Sequence, residues 1–125
     1  MSLKSRPINL NFFTIHFPIT AWVSILHRLS GLFVFLLIPL FLWMLQESLA
    51  SLERYQAFVS IFKSPLLKGI LWLLLAALLY HLIAGVRHLL MDLHIGESKI
   101  GGQVSAWVVM FISAIGFVGL GIWLW

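Results

Sequence analysis

The sequence predicts an all-α membrane protein with three transmembrane helices. Residues 29–46, 69–86 and 100–125 contain no Lys, Arg, Asp or Glu. A helix of about 18 residues is about 27 Å long, close to the thickness of the hydrocarbon core of a bilayer. Charged residues make up 10% of the chain, against about 25% in a typical soluble domain. The 125 residues therefore leave room for one membrane domain and no separate soluble catalytic domain.

The composition excludes several classes of chemistry. The chain has no cysteine, which rules out disulfides, thiolate-bound iron–sulfur clusters, haem attached through cysteine, and cysteine nucleophiles. Any electron transfer must then use a non-covalent cofactor or a partner. The net charge of +4 comes from scattered Lys and Arg residues without a basic run, so it indicates membrane topology and not nucleic-acid binding.

Residues 1–17 are predicted to form a cytoplasmic or interfacial arm, because Pro7 and two Asn residues oppose a stable helix. The first helix is predicted to run from Pro18, a residue favoured at the first helical position, to about Glu47. About 30 helical residues span about 45 Å, more than the hydrocarbon core. The first three turns should therefore emerge from the membrane, or the helix should tilt.

The rest of the chain divides into two further helices and their connections. Residues 48–62 are polar and are predicted to form the first connection. A second helix is predicted at about 65–93, and the Gly-rich segment 94–102 should form a loop. The third helix is predicted at about 104–124. Residues 18–125 would thus form one transmembrane domain.

Aromatic and basic residues predict how the chain lies in the membrane. Tryptophans near the ends of the predicted helices match interfacial belts: Trp22, Trp43, Trp72, Trp107, Trp123 and Trp125. With the N-terminus inside, the cytoplasmic side holds more basic residues (Lys4, Arg6, Arg28, Arg87, Lys99) than the outside (Arg54, Lys63, Lys68). The N-terminus resembles neither a signal peptide nor an organellar presequence, which favours a bacterial inner membrane.

On the second helix, His81, Gly85, His88 and Asp92 share one face. His81 lies well inside an uncharged segment, where an ionisable residue points to a function. A neutral imidazole there can ligate a metal such as haem iron, and Gly85 with Ala84 would leave a shallow surface for a flat porphyrin. The alternative is a histidine that is hydrogen-bonded to a neighbouring helix.

His88 lies near the membrane interface and is expected to make a polar contact. On one straight helix it stands about 10 Å from His81, so the two residues cannot ligate the same iron. A haem with two axial ligands would therefore need its second ligand from another helix or chain.

On the first helix, Ser24 and Arg28 are one turn apart and point the same way, and His27 follows Ser24 by three residues. An arginine inside a membrane helix costs about 2.5–3.5 kcal/mol, so Arg28 should face an anion or a wet cavity. A hydroxyl with a guanidinium suits a quinone carbonyl, which becomes anionic on reduction. Arg28 could equally hold a haem propionate or reach a lipid phosphate.

These residues belong to two longer strings. The first combines RPINL at residues 6–10, FPITA at 17–21 and SILHRLSG at 24–31, and the second is HLIAGVRHLLMD at 81–92. Both strings resemble the cytochrome b subunit of succinate dehydrogenase, the larger membrane anchor of complex II. The likeness covers nearly the whole chain and includes the order of the motifs.

The resemblance implies that the three helices form half of a helical bundle shared with a second small anchor subunit. The two anchors would hold a flavoprotein with FAD and an iron–sulfur protein at the cytoplasmic face. Electrons from succinate would pass through the clusters of these partners to ubiquinone, and a haem b would lie between the anchors. The chain would then be a non-autonomous subunit of a respiratory and tricarboxylic acid cycle enzyme, without activity of its own.

By position in the motifs, the resemblance implies that His81 is an axial haem ligand and that the second ligand lies on the other anchor. Ser24 and Arg28 match quinone-site residues. The positions that match the surroundings of the haem or its propionates are His27, Arg28 and His88. One departure is His94, because the family usually has a small residue two places after the Asp.

Two alternatives to the redox subunit follow from the same residues. The first is a haem-free structural anchor, as in some complexes related to fumarate reductase. The second is a small channel or transporter component. The second helix lacks paired intramembrane charges, and the sequence has no broken-helix or inverted-repeat signal, so the transporter is the weakest hypothesis.

Overall fold

The computed structural model describes residues 15–125, which fold into four α-helices and no strand. The helices are α1 (Ile19–Ala50), α2 (Leu52–Ile61), α3 (Pro65–Asp92) and α4 (Lys99–Leu124). Of these, α1, α3 and α4 are long and apolar enough to cross a membrane. The predicted all-α class with three membrane helices is therefore confirmed for this part of the chain.

The connection predicted at residues 48–62 contains a short helix that the sequence analysis did not predict. α1 continues to Ala50, and Ser51 then caps α2 by accepting a hydrogen bond from the Arg54 N–H at 3.1 Å. Phe58 of α2 packs edge-to-face on Trp43 of α1, with ring centroids 6.1 Å apart. Capping and an aromatic contact define α2, whereas the prediction followed the polar composition of the segment.

α4 begins at Lys99, earlier than the predicted start at 104. The Ser98 side chain caps this end by accepting a hydrogen bond from the Gly101 N–H at 3.0 Å. Gly101 and Gly102 indicated a loop in the sequence, but both lie in the first turns of α4. Glycine suits both positions because a larger side chain would lack space. A Cβ on Gly101 would lie 2.9 Å from Ser98 Oγ, and Gly102 is buried.

The predicted N-terminal arm lies mostly outside the described residues, as does the RPINL string. Residues 15–18 precede α1 without helical structure, and Pro18 is extended at the N-cap position just before Ile19. Pro39 lies within α1, which runs without a break from Ile19 to Ala50.

α3 packs against both α1 and α4, and α1 also contacts α4. The core that they share is small and consists of Val23, Ala84, Ala106 and Val109. In the most apolar window of each long helix only 6% of the residues are buried. Most apolar side chains therefore face outward, as expected for a unit surrounded by lipid and by further membrane helices.

Polar contacts join α3 to α4 at both ends. At one end Arg87 donates from Nε to Ser105 Oγ at 2.9 Å and from Nη2 to the Gly102 carbonyl at 3.1 Å. At the other end Trp72 Nε1 donates to the Phe117 carbonyl at 2.9 Å. The indole of Trp72 thus packs on α4, in addition to lying near a predicted membrane edge.

α3 ends in a Schellman motif with a histidine where glycine is usual. His94 has φ 61°, in the left-handed region. Its N–H donates to the Met91 carbonyl at 2.9 Å, and the Ile95 N–H donates to the Leu90 carbonyl at 3.0 Å. The His94 ring also contacts Glu97, with Nδ1 2.9 Å from Oε1. This backbone conformation favours glycine, which has no Cβ to strain it.

Candidate functional site

His81 projects from the middle of α3 toward α1, where its Nδ1 meets two oxygen atoms. Nδ1 lies 3.2 Å from the main-chain carbonyl oxygen of His27 and 3.2 Å from Ser30 Oγ. The Ser30 hydroxyl itself donates to the same carbonyl at 2.8 Å. Because a carbonyl only accepts, this network assigns the proton of a neutral His81 to Nδ1. Nε2 then keeps its lone pair and is the nitrogen that can ligate a metal.

His27 and His88 complete a cluster of three imidazoles, which we call the histidine cluster (His27, His81, His88). The ring of His27 is stacked on that of His81, with centroids 4.4 Å apart and planes 10° apart, and it lies 4.8 Å from the ring of His88. His27 Nε2 is buried and has no hydrogen-bond partner among residues 15–125. Gly85 makes room for it, since a Cβ there would lie 3.3 Å from this nitrogen. His27 thus holds His81 through both its ring and its carbonyl.

Gly31 sets how closely α1 approaches the ring of His81. A Cβ at this position would lie 2.9 Å from Cε1 of His81 and 3.9 Å from its Nε2. The sequence analysis quoted Ser30 and Gly31 only as part of a motif and gave them no role. Helical phase would have found Gly31, because it follows His27 by four residues and so shares its face.

Ser24 and Arg28 lie on the edge of α1 beside the histidine cluster. Around an ideal helix, Ser24 is about 60° and Arg28 about 100° from His27 in the same direction. Ser24 is partly exposed and Arg28 is exposed. Ser24 also lies about 9 Å closer than Ser30 to the start of α1. The two side chains therefore share one edge, between the end of the helix and the level of His81.

The deeply buried arginine is Arg87, which is 5% exposed, whereas Arg28 is exposed. The sequence analysis expected Arg28 to face an anion or a wet cavity and gave Arg87 no such role. Arg87 lies about 120° around α3 from His81 and faces α4, which could not be known before the helices were placed. Asp92, which shares the predicted stripe of His81, is exposed.

Arg87 has no carboxylate partner. All four acidic residues of the chain lie within the described residues, and the ion pairs there join Glu47 to Arg54 and Glu97 to His94. Two neutral oxygens, those of Ser105 and Gly102, accept its hydrogen bonds. The guanidinium charge is therefore held without a counter-ion from this chain.

Two apolar cavities lie between the long helices, and neither is lined by His81, Ser24 or Arg28. One of about 490 Å³ lies between α1, α3 and α4, and one of about 450 Å³ lies between α3 and α4 beside Arg87. Although three imidazoles lie together in the histidine cluster, no group of three or more His or acidic side chains within residues 15–125 is arranged so that it could hold a metal ion. A metal at His81 would therefore need ligands from a cofactor or another chain. A small molecule at Ser24 and Arg28 would likewise need a second wall from outside the described chain.

Comparisons with known proteins identify the family of the chain. A family model described as succinate dehydrogenase/fumarate reductase transmembrane subunit matches residues 2–121. The succinate dehydrogenase cytochrome b556 subunit of Coxiella burnetii is 41% identical over 121 residues, which cover 96% of this chain and 97% of that protein. The subunit of the same name from Rickettsia typhi is 30% identical over 82% of this chain and 80% of its own length. That from Rickettsia felis is 27% identical over 90% and 87%.

Proposed function

The chain belongs to the family of succinate dehydrogenase/fumarate reductase transmembrane subunits, and from this membership we propose that it is the cytochrome b-type anchor of a succinate:ubiquinone oxidoreductase. In this role it ligates haem b through His81 and contributes Ser24 and Arg28 to the site that reduces ubiquinone. The observation that carries the proposal is the contact of His81 Nδ1 with the His27 carbonyl. This is the hydrogen bond to a neighbouring helix that was the alternative to haem ligation, but it occupies Nδ1 alone and leaves Nε2 for iron. The relatives from Coxiella and Rickettsia are named cytochrome b556 subunits, which supports a haem here.

The residues around His81 fit a haem. A histidine that ligates a metal normally donates its other ring N–H to a carbonyl or carboxylate, and the Nδ1 contact with His27 has this form. Gly31 leaves the Cε1 edge of the ring without a side chain, since a Cβ there would lie 2.9 Å from Cε1 and 3.9 Å from Nε2, and this lets the ring keep its place against α1. Bound haem b would supply a one-electron carrier within the membrane.

The second axial ligand is assigned to a second anchor subunit. His27 is the nearest other imidazole, but its ring is parallel to that of His81, so the two residues present faces and not nitrogens to each other. His88 lies on the same helix as His81, about 10 Å further along the axis. In this proposal His27 positions the ring of His81, and His88 packs against His27. Arg28 is exposed and can reach a haem propionate.

Ser24 and Arg28 suit the chemistry of a quinone carbonyl. The Ser24 hydroxyl donates a hydrogen bond to the oxygen, and the Arg28 guanidinium stabilises the negative charge that develops there on reduction. Ser24 lies about 9 Å, and Arg28 about 3 Å, nearer the start of α1 than Ser30, which contacts His81. Ubiquinone would thus bind between the membrane edge and the level of the haem ligand.

The proposed quinone site also suggests which membrane edge the partners use. A flavoprotein with FAD and an iron–sulfur protein would sit at the membrane edge next to the start of α1, where electrons reach the quinone first. The excess of Lys and Arg on this side predicts that it faces the cytoplasm of a bacterial cell. The chain then works as one half of a membrane anchor and has no activity without its partners.

Purification of the intact complex through a tag on this chain tests the proposal. We expect a flavoprotein, an iron–sulfur protein and a second small anchor to co-purify, with a b-type band in the reduced-minus-oxidised absorption spectrum. His81→Ala should remove this band from a complex that still assembles. His94→Ala is the matched control, because His94 is exposed beyond the end of α3.

Two outcomes would contradict the proposal in different ways. A wild-type complex that assembles and oxidises succinate without a b-type band would show a haem-free structural anchor. An unchanged band in assembled His81→Ala would place the iron ligand elsewhere.

A further inference from the structure

We propose that an anionic phospholipid binds in the groove between α3 and α4, with its phosphate group at Arg87 and an acyl chain along the groove. The groove is the cavity of about 450 Å³ beside Arg87 described above. Its walls are mainly aliphatic, and they include Val86, Leu90 and Val108. Arg87 lines this groove between Ile83, on the side of the membrane interior, and Leu90, on the side of the membrane edge. A charged group in the wall of an apolar groove matches the two parts of a phospholipid.

The charge of Arg87 favours an anion at this place. The side chain is 5% exposed, and its hydrogen bonds to residues 15–125 use Nε and Nη2, which leaves Nη1 without a partner among them. No carboxylate of the chain pairs with it. A buried charge without a counter-ion is unfavourable, and a guanidinium binds phosphate oxygens with good geometry. Arg87 therefore offers both a charge and donors to a phosphate.

The length and depth of the groove match one leaflet of a bilayer. Along α4 it extends over twelve residues, from Gly101 to Ile112, a rise of about 16 Å, of which about 10 Å lies inward of Ser105, the acceptor of Arg87. Half of the hydrocarbon core is about 15 Å thick. Arg87 lies five residues before the end of α3 at Asp92, or about 7.5 Å from it, so the charge is near the membrane edge. Lys99 is exposed at the start of α4 at the same end and adds positive charge.

The groove also faces away from the histidine cluster. Around α3, Val86 and Leu90 lie about 140° and 180° from His81. Their side chains are 49% and 41% exposed. A second anchor that contacts the chain at His81 would leave this groove on the opposite side, toward lipid. The proposal of a lipid site therefore does not depend on haem binding at His81.

Native mass spectrometry of the purified complex, with its lipids exchanged for defined ones, tests this inference. The probes are phosphatidylglycerol and phosphatidylcholine with the same acyl chains. Val108→Phe narrows the groove and leaves Arg87 and its hydrogen bonds in place. Ile115→Phe is the matched control, because Ile115 is exposed two turns further along α4 and does not line the groove. Arg87→Gln removes the charge.

We expect the wild-type complex to retain one phosphatidylglycerol at least tenfold more tightly than phosphatidylcholine. Val108→Phe should weaken this retention about tenfold, and Ile115→Phe should leave it unchanged. Arg87→Gln should remove the preference for the anionic lipid; if that variant fails to assemble, Val108→Phe decides. Equal retention of both lipids, or full retention in Val108→Phe, would overturn the inference. Cross-linking of another subunit to a photoreactive residue at 108 would do so too.

Discussion

The imidazole of His27 on α1 lies face to face with that of His81 on α3, with ring centroids 4.4 Å apart. The main-chain carbonyl of the same residue contacts His81 Nδ1. His27 therefore fixes the plane of the His81 ring, the proposed iron ligand. Its carbonyl also keeps the proton of that ring on Nδ1. Changes that disturb this contact should affect haem content before they affect assembly.

Gly31→Ala is expected to lower the haem content of the complex. The added Cβ would lie 2.9 Å from Cε1 of His81, so the ring must move. Overpacking of this kind costs about 1–3 kcal/mol. The b-type absorbance per complex and the midpoint of thermal unfolding in detergent measure the two effects.

Gly119→Ala is the control for this substitution. A Cβ at Gly119 meets no atom within 4 Å. This variant should keep its haem and gain up to about 1 kcal/mol from the higher helix propensity of alanine. Full haem content in Gly31→Ala would mean that the ring has more room than the structure gives it.

Ser24→Ala and Arg28→Leu should impair quinone reduction selectively. In the proposed quinone site, each change removes a donor to an oxygen that becomes negatively charged, a loss of about 1.5–3 kcal/mol, or roughly 10- to 100-fold in rate. Oxidation of succinate with a soluble artificial acceptor should be retained, because that reaction does not need the quinone site. Steady-state assays with both acceptors separate the two activities.

Arg54→Leu provides the comparison for Arg28→Leu. Arg54 lies in α2 and pairs with Glu47 at 3.6 Å, at the opposite end of α1 from Arg28. Arg54→Leu should leave quinone reduction and succinate oxidation near their wild-type rates. If Arg28→Leu lost both activities in equal measure, assembly and not quinone chemistry would depend on this residue.

Ser105→Ala should destabilise the complex without loss of haem. The substitution removes the acceptor of the Arg87 Nε hydrogen bond, and bonds to charged groups contribute about 1.5–3 kcal/mol. Haem content should not change, because Arg87 faces about 120° away from His81. Thermal unfolding with parallel spectra checks both statements.

Ser48→Ala is the matched serine substitution. Ser48 Oγ donates only to the Leu45 carbonyl within its own exposed turn. Its loss should change the free energy of unfolding by less than about 0.5 kcal/mol. Similar midpoints for the two variants would show that Arg87 does not need Ser105.

His94→Gly should stabilise the protein by up to about 1 kcal/mol, because glycine adopts the left-handed conformation found at this position with little strain. The lost contact with Glu97 joins two exposed side chains and contributes little. Gly96→Ala is the reverse test, since Gly96 has φ 80° and alanine would be strained there. The two variants should shift the unfolding midpoint in opposite directions, and a shift in the same direction would contradict this account.

The sequence was sufficient to predict the membrane spans and to predict which residues of α3 share a face with His81. Long uncharged runs admit few structures other than transmembrane helices, and the spacing of His81 and His88 places them on one face. The roles of Ser30 and Gly31 were not predictable, because they depend on which face of α1 meets α3. Arg87 was missed for the same reason, since its acceptors lie on α4. The quinone and haem roles of Ser24, Arg28 and His81 remain predictions.

The contact of Arg87 with α4 has a consequence for biogenesis. During synthesis α3 emerges before α4, so the guanidinium reaches the insertion machinery before Gly102 and Ser105 can accept its hydrogen bonds. Alone in lipid, α3 would carry an arginine without the two acceptors that α4 supplies. We therefore expect α3 and α4 to leave the translocon together, as a helical hairpin. A nascent chain arrested after residue 98 should integrate less completely than the same chain with Arg87→Leu, which a protease-protection assay would reveal.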